Sequence, residues 1–492
     1  MPVPINRHNG LASTIGLDEK LAELQLLGYS SPDELAHGAH ETKTAPVLTR
    51  DAYAASRLHE DIPQYGVLGE VLEVQTQKNS EVSLSDRRLY LNTNAPLSAI
   101  VCGVQGSGKS HTVSVMLENM LVANYPATGE IVNPLSGLVF HFGETGSAAR
   151  PCEAAFVGTS SYPDVNVPPV RVFVSPSSLK RMKRLYAPLG GNVKVVPLFF
   201  AESELDAAAF LSMMAVGSSE SAPLYMQTVL SILRGLGEDY TYATFMKRLE
   251  AKKTSLNPQQ LSSLQQRMEL LQSFLQPKSH QGRTDTTRFA PGQITIIDLS
   301  DPFVDPPNAC GLFEIVLRLF ERADVGTGKV LVVDEAHKYL SQTRSSTGLT
   351  NSLLSLIRQQ RHMSMRVVIS TQEPTVIPPV FIDLCGLVIL HRFSSSAWWD
   401  HLGKHVASDL TGEDTFNKVV QLKTGEAIVL APSGIGLFTG SLAKGLEGSM
   451  SEDGGDGVPS LGHFGRRYML VRTRQRITQD GGVSLLAVNV EA

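Results

Sequence analysis

AIVCGVQGSGKSHTVSVMLENMLV, residues 99–122, decides the fold. A short apolar run leads into a glycine-rich turn, and helix-forming residues follow it. The turn, Gly103-Val104-Gln105-Gly106-Ser107-Gly108-Lys109-Ser110, meets every fixed position of GxxxxGK[ST] in the strand-to-helix setting that the pattern needs. Glycines let the backbone close around phosphates, while amide groups and the helix N-terminus stabilise the negative charge. Lys109 is expected to reach the β- and γ-phosphates and Ser110 to ligate Mg²⁺, with His111 closing the nucleotide-binding set. ATP and Mg²⁺ are therefore the expected cofactors.

Working outward from residue 98, short Val/Ile/Leu runs alternate with helical stretches. The runs are 99–103, 138–142, 170–174, 193–200, 294–300, 330–335, 366–372 and 387–393. Continuous apolar runs between helices predict a mostly parallel sheet covered on both faces. The stretch 203–276 is almost purely helical and reads as an insertion. The expected fold is α/β, a mostly parallel sheet carrying the phosphate loop, with helices on both faces and small appendages at both ends. A helical appendage is expected at 1–61, including helices at 17–29 and 49–61. A short β segment follows at 62–97. A Gly-rich loop and a basic, strand-like extension complete the chain at 433–492.

The run 330–340, VLVVDEAHKYL, supplies the second half of the site. Asp334, at a strand's carboxyl end, is expected to hold Mg²⁺, and Glu335 to polarise the attacking water. The letters D-E-A-H name a class of RNA helicases, but such an enzyme needs a second RecA-like domain with an arginine-rich motif. Only 155 residues follow His337, and they still contain strands of the first domain. A helicase of that class is therefore not expected, and Ala336 and His337 are read as incidental.

Four stretches together resemble the HerA/FtsK superfamily of ring-forming, DNA-pumping ATPases, and its HerA branch in particular. They are IVCGVQGSGKSHTV, ITIIDLS, VLVVDEAHKYL and the segment from LLSLIRQQRHM to LVILHRF. The resemblance covers 98–432 and implies a RecA-like P-loop NTPase core there, in which another strand, RVVISTQ, separates the phosphate-loop strand from the acidic strand. That would place Gln372 between the two as a γ-phosphate sensor, unless it is an ordinary polar strand end. It also implies ATP at subunit interfaces, with an arginine supplied by the neighbour. Arg361 best matches that position and Arg358 is the alternative; either also reads as a solvated helix-end cation. A homo-oligomer, a hexamer in the family's pattern, with DNA in a central pore and a nuclease or other effector as partner, follows as the expectation. An ATP-gated scaffold without nucleic-acid translocation is the alternative. Glu144, in FHFGETG, matches the family's GE-like motif but has no assigned role.

The chain departs from the family in having room for only a reduced barrel at 62–97. Trp398 and Trp399 are open to two readings, base stacking or packing. The arginine-rich tail, 466–478, is open to bracing a neighbour or touching phosphates. With 42% hydrophobic and 18% charged residues, the composition is globular, and a net charge of −5 gives no global field for nucleic acid. Cys102, Cys152, Cys310 and Cys385 lack CxxC spacing and read as reduced core thiols. No apolar run approaches ~18 residues, and residues 1–14 lack a secretory pattern. A compartment inside the cell, cytoplasm or nucleus, is expected.

Overall fold

The computed structural model describes residues 42–55, 62–75, 86–123, 125–146, 149–213, 224–276, 288–340, 347–406, 413–438 and 460–482. The chain divides into two compact units at Thr44, and the second, Ala45–Ala492, carries the sheet. The helix expected at 17–29 lies outside the described residues.

In chain order the strands begin with β1 (Val47–Thr49), β2 (Tyr65–Gln75), β3 (Arg88–Asn92) and β4 (Ser98–Cys102). Next come β5 (Gly129–Glu130), β6 (Ser136–His141), β7 (Val170–Val174), β8 (Val193–Pro197) and β9 (Ile294–Asp298). The series ends with β10 (Lys329–Val333), β11 (Met365–Thr371), β12 (Leu387–His391), β13 (Glu426–Leu430), β14 (Ile435–Phe438), β15 (Ser460–His463) and β16 (Tyr468–Thr473). They form one sheet in the order β15-β14-β1-β3-β2-β16-β13-β12-β4-β11-β10-β6-β9-β7-β8, with β5 on β2.

From β12 to β8 the sheet is parallel throughout. These eight strands are the eight apolar runs of the sequence. Their residues alternate between two cores: Ile100 and Cys102 face one, and Ala99 and Val101 the other. Burial on both faces is what makes such strands continuous in apolar character. The strand order β4-β11-β10 sets RVVISTQ between the phosphate-loop strand and the acidic strand. The fold is α/β with a RecA-like P-loop core.

The 203–276 segment contributes the helices Ala207–Met213, Leu224–Leu236, Tyr242–Lys252 and Pro258–Ser273. Phe210, Met226, Phe245 and Leu271 from them are buried in the same core as Phe140 and Phe200. The rings of Phe210 and Phe245 lie 4.3 Å apart.

From β13 to β3 and β1 the sheet continues antiparallel. Strand β1 and helix Arg50–Ala55, from the segment expected to be a terminal appendage, are part of this half. So is the basic tail, whose strand β16 lies between β13 and β2 rather than outside the core.

The tail is held by a buried charge. Glu118, fully buried on the phosphate-loop helix Lys109–Leu121, accepts a bond from Arg474 Nη1 at 2.7 Å. It also accepts from the Thr478 hydroxyl at 2.6 Å and from the Thr478 N–H at 3.0 Å. Arg474 further donates to Val67 O and Asn119 Oδ1, and Arg476 to Glu153. These arginines are therefore engaged within the chain. Removing one partner of a buried pair leaves an uncompensated charge, which costs about 3–5 kcal/mol. Glu118→Ala should lower the stability of the folded chain by about that amount, measured from the urea midpoint. An unchanged midpoint would mean that this pair does not secure the tail.

Candidate functional site

The phosphate loop needs glycine for two separate reasons. Gly103, Gly106 and Gly108 have φ of 153°, 73° and 111°, which L side chains rarely adopt. At Gly108 a Cβ would also fall 2.9 Å from the Gly425 backbone nitrogen, whereas at Gly106 nothing lies within 4 Å. Gly106 is thus the open side of the cradle. Ser107 is buried and its hydroxyl donates to Val104 O at 2.7 Å, bracing the turn. Lys109 Nζ donates to the same carbonyl at 3.0 Å. Burial lowers the Lys109 pKa, while Glu335 and Asp334 oppose the shift.

Around this loop the C-terminal ends of β11, β10 and β6 deliver the remaining groups. Glu335, the second residue after β10, sits at φ 50°, a left-handed conformation for a non-glycine residue. Such strain persists where surrounding contacts over-determine it, and here they are visible. Gln372 Nε2 donates to the two Glu335 carboxylate oxygens at 2.9 and 3.0 Å. The Gln372 backbone N–H donates to His337 Nδ1 at 3.4 Å, and His337 Nε2 lies 3.5 Å from Glu335. Burial lowers the His337 pKa, Glu335 opposing, so the ring favours the neutral form. Accepting at Nδ1 then puts its proton on Nε2, facing the carboxylate. Glu335, Gln372 and His337 form a closed triangle. His337 is a residue that the sequence reading set aside; the structure puts it in the site.

Asp334 is bound differently. Its Oδ2 lies 3.0 Å from His141 Nδ1 at the end of β6. Burial would raise the Asp334 pKa, but His141 outweighs it and holds the carboxyl below its ordinary range. Asp334 is therefore ionised beside the cradle.

A chamber of about 450 Å³ opens over these groups, lined by Gln105, Arg150, Glu335, His337 and Gln372 among others. Glu144 and Lys338 form a 3.0 Å ion pair that also lines it.

Not every expected residue converges here. The His111 ring turns to the tail, with Nε2 2.8 Å from Arg474 O. Arg361 and Arg358 lie before β11, at the end of that strand opposite Gln372. Seven strand residues separate the two ends by roughly 20 Å. Both arginines are exposed and make no ion pair among the described residues. Neither reaches its own chain's phosphate loop. The tryptophans pack within the chain: Trp398 meets Phe393 at 5.7 Å and Trp399 meets Phe416 at 5.6 Å.

His391, at the end of β12, props the loop from behind. Its Nδ1 faces Glu426 O at 3.0 Å and its Nε2 faces the Thr112 hydroxyl at 3.0 Å. Complete burial pushes its pKa down to about 3, from an ordinary 6.5. Between those values the unfolded chain takes up the proton and the folded chain does not. Its stabilising effect is thus full above pH ~6.5 and is lost as pH falls toward 3, by up to about 1.4 kcal/mol per pH unit. The urea midpoint should drop from pH 7 to pH 5 by more in the wild type than in His391→Gln. Equal drops would show that His391 does not carry this pH dependence.

No family model and no curated protein matches the chain. Among solved structures it is similar to VirB4 of Thermoanaerobacter pseudethanolicus, at 14% identity over 74% of this chain and 93% of that one, with a TM-score of 0.40. It is also similar to the bacterial conjugative coupling protein TrwBΔN70, at 10% identity over 72% and 86% of the two chains, with a TM-score of 0.38. A third is the genome packaging NTPase B204 from Sulfolobus turreted icosahedral virus 2, solved with AMP, at 10% identity over 68% and 92%, with a TM-score of 0.29. No helix among the described residues is long and apolar enough to cross a membrane.

Proposed function

We propose that the chain is a HerA/FtsK-like motor ATPase that hydrolyses Mg-ATP at subunit interfaces of a homo-oligomeric ring and moves a nucleic acid through its pore. One observation carries the hydrolytic part. Strands β4, β11 and β10 are adjacent and parallel, and bring Lys109, Gln372 and the Asp334–Glu335 pair to one edge of the sheet.

In this reading the amides around Gly106 and Gly108 seat the phosphates and Lys109 neutralises their charge. Ser110 and Asp334 supply hard oxygen donors beside that cradle, which suits Mg²⁺. When bound there, Mg²⁺ would screen the β- and γ-phosphate charge. Glu335 takes a proton from the attacking water as its oxygen bonds to the γ-phosphorus and the bond to ADP breaks. Gln372 bridges Glu335 and the γ-phosphate side of the chamber, so its two alternative bonds link nucleotide state to strand β11. Arg361, too far from its own loop, serves the adjoining subunit.

The scaffold reading draws on a specific feature. Arg474 and Arg476 are engaged inside the chain, and the net charge is −5, which leaves fewer cations for phosphate backbone. The two readings separate on turnover. Duplex or single-stranded DNA, or RNA, at low salt should raise the ATPase rate severalfold, and added salt should remove the effect. Equal rates with and without each nucleic acid would leave the scaffold.

A further inference from the structure

Beside the hydrolytic groups lies a cluster that the mechanism above uses only through Asp334. His141, Cys152 and Asp334 each offer one ligand atom, and the three atoms lie within 4.8 Å of one another. Cys152 is fully buried and His141 is 9% exposed. They come from three places in the sequence: the end of β6, the start of the 3-10 turn Glu153–Gly158, and the end of β10.

We propose that His141, Cys152 and Asp334 form an inhibitory site for Zn²⁺, which withdraws Asp334 from Mg²⁺ and stops hydrolysis. The inhibitory half rests on the reading of Asp334 as a Mg²⁺ ligand; the binding half does not.

The donor chemistry favours zinc. A thiolate, an imidazole and a carboxylate are a common zinc set, whereas Mg²⁺ demands oxygen donors and near-octahedral geometry. Bonds of about 2.0–2.3 Å in a tetrahedron put donor atoms roughly 3.5 Å apart. His141 Nδ1 and Asp334 Oδ2 are 3.0 Å apart already, and the largest separation is under 4.8 Å. The site therefore closes with shifts of roughly an ångström. Three protein donors leave the fourth position to water, and His141 lines the chamber that would admit the ion. The backbone behind the sulfur is fixed: the Cys152 N–H donates to Tyr186 Oη at 2.9 Å, and that hydroxyl donates to Asp298 at 2.6 Å. Binding forms metal–sulfur, metal–nitrogen and metal–oxygen bonds and releases two protons to solvent, one from the Cys152 thiol and one from the His141 Nδ1 that faces Asp334.

Co²⁺ serves as the optical probe, added to nucleotide-free and Mg²⁺-free protein. The wild type should show a thiolate-to-cobalt charge-transfer band that saturates at one ion per chain and is bleached by Zn²⁺. Cys152→Ser should lose the band, Cys310→Ser should keep it, and His141→Gln should weaken cobalt binding by about tenfold or more. In the ATPase assay, buffered Zn²⁺ should inhibit the wild type. Cys152→Ser, compared with its own zinc-free rate, should need about tenfold more zinc or greater for the same fractional inhibition. No band in the wild type, or a band that survives Cys152→Ser, overturns the site. A band with equal zinc sensitivity in the two proteins overturns the inhibition. A chain that shows the band but neither binds nor hydrolyses ATP would refute the ATPase reading alone.

Discussion

Glu335→Gln is expected to bind ATP as tightly as the wild type and to hydrolyse it about 10²–10⁴-fold more slowly. The substitution keeps a side chain of the same shape, and its amide can still meet Gln372. What it removes is the carboxylate that takes the proton from water. The phosphate cradle is built from other residues, Gly106, Gly108 and Lys109, so affinity should not follow turnover down. Single-turnover hydrolysis and equilibrium nucleotide binding, measured on the same preparation, separate the two quantities. Turnover at the wild-type rate would remove Glu335 from the role of base. A parallel loss of affinity would mean that the triangle with Gln372 and His337 shapes the cradle instead.

The second large effect concerns Arg361. The structure leaves it at the far end of β11 from Gln372, so any catalytic contact has to be with a neighbouring subunit. An arginine supplied by a neighbour can be worth about 10³-fold or more where it offsets charge in the transition state. Arg361→Ala should therefore assemble normally and hydrolyse ATP about 10³-fold more slowly. Mixing it with Lys109→Ala should restore part of the activity, because some interfaces then pair an intact cradle with an intact arginine. Subunit exchange has to be demonstrated in the same mixture by a label. With exchange established, no recovery at any ratio would make Arg361 a surface cation. Recovery when Arg358→Ala replaces Arg361→Ala, but not with Arg361→Ala, would assign the role to Arg358.

The parallel half of the fold was legible because burial on both faces leaves its mark in consecutive residues. VLVV is apolar throughout and RVVIS at its three central positions, and each became a strand of the central sheet. The phosphate loop was legible because its geometry needs glycines at fixed intervals. The antiparallel half was harder. EAIVL (426–430) is short, and nothing local says that it pairs with β16. The tail is held in the sheet by Glu118, a lone acidic residue in an almost wholly buried helix, whose partners lie more than 350 positions away.

The site divides along the same line. Lys109, Ser110, Asp334 and Glu335 belong to contiguous motifs and could be read directly. His141 and Cys152 could not, because their place beside Asp334 depends on chain segments that the sequence separates widely. For His337 a signal did exist: it lies two residues beyond Glu335, on the turn that leaves β10. Departure into a 3-10 turn at Glu335 brings it back over the carboxylate. For Gln372 the expectation was a contact with nucleotide, and the structure adds an alternative partner, Glu335 itself.

The proposal that Lys109, Asp334 and Glu335 make one hydrolytic site is tested most directly by a single-turnover assay on the purified chain. Protein is loaded with ATP labelled at the γ-phosphate in the absence of divalent metal, freed of excess nucleotide, and mixed with Mg²⁺ and an unlabelled ATP chase. Labelled inorganic phosphate should appear from the wild type, while Glu335→Gln should release intact labelled ATP and Lys109→Ala should retain no label at loading. Intact labelled ATP leaving the wild type at the rate seen for Glu335→Gln would contradict it.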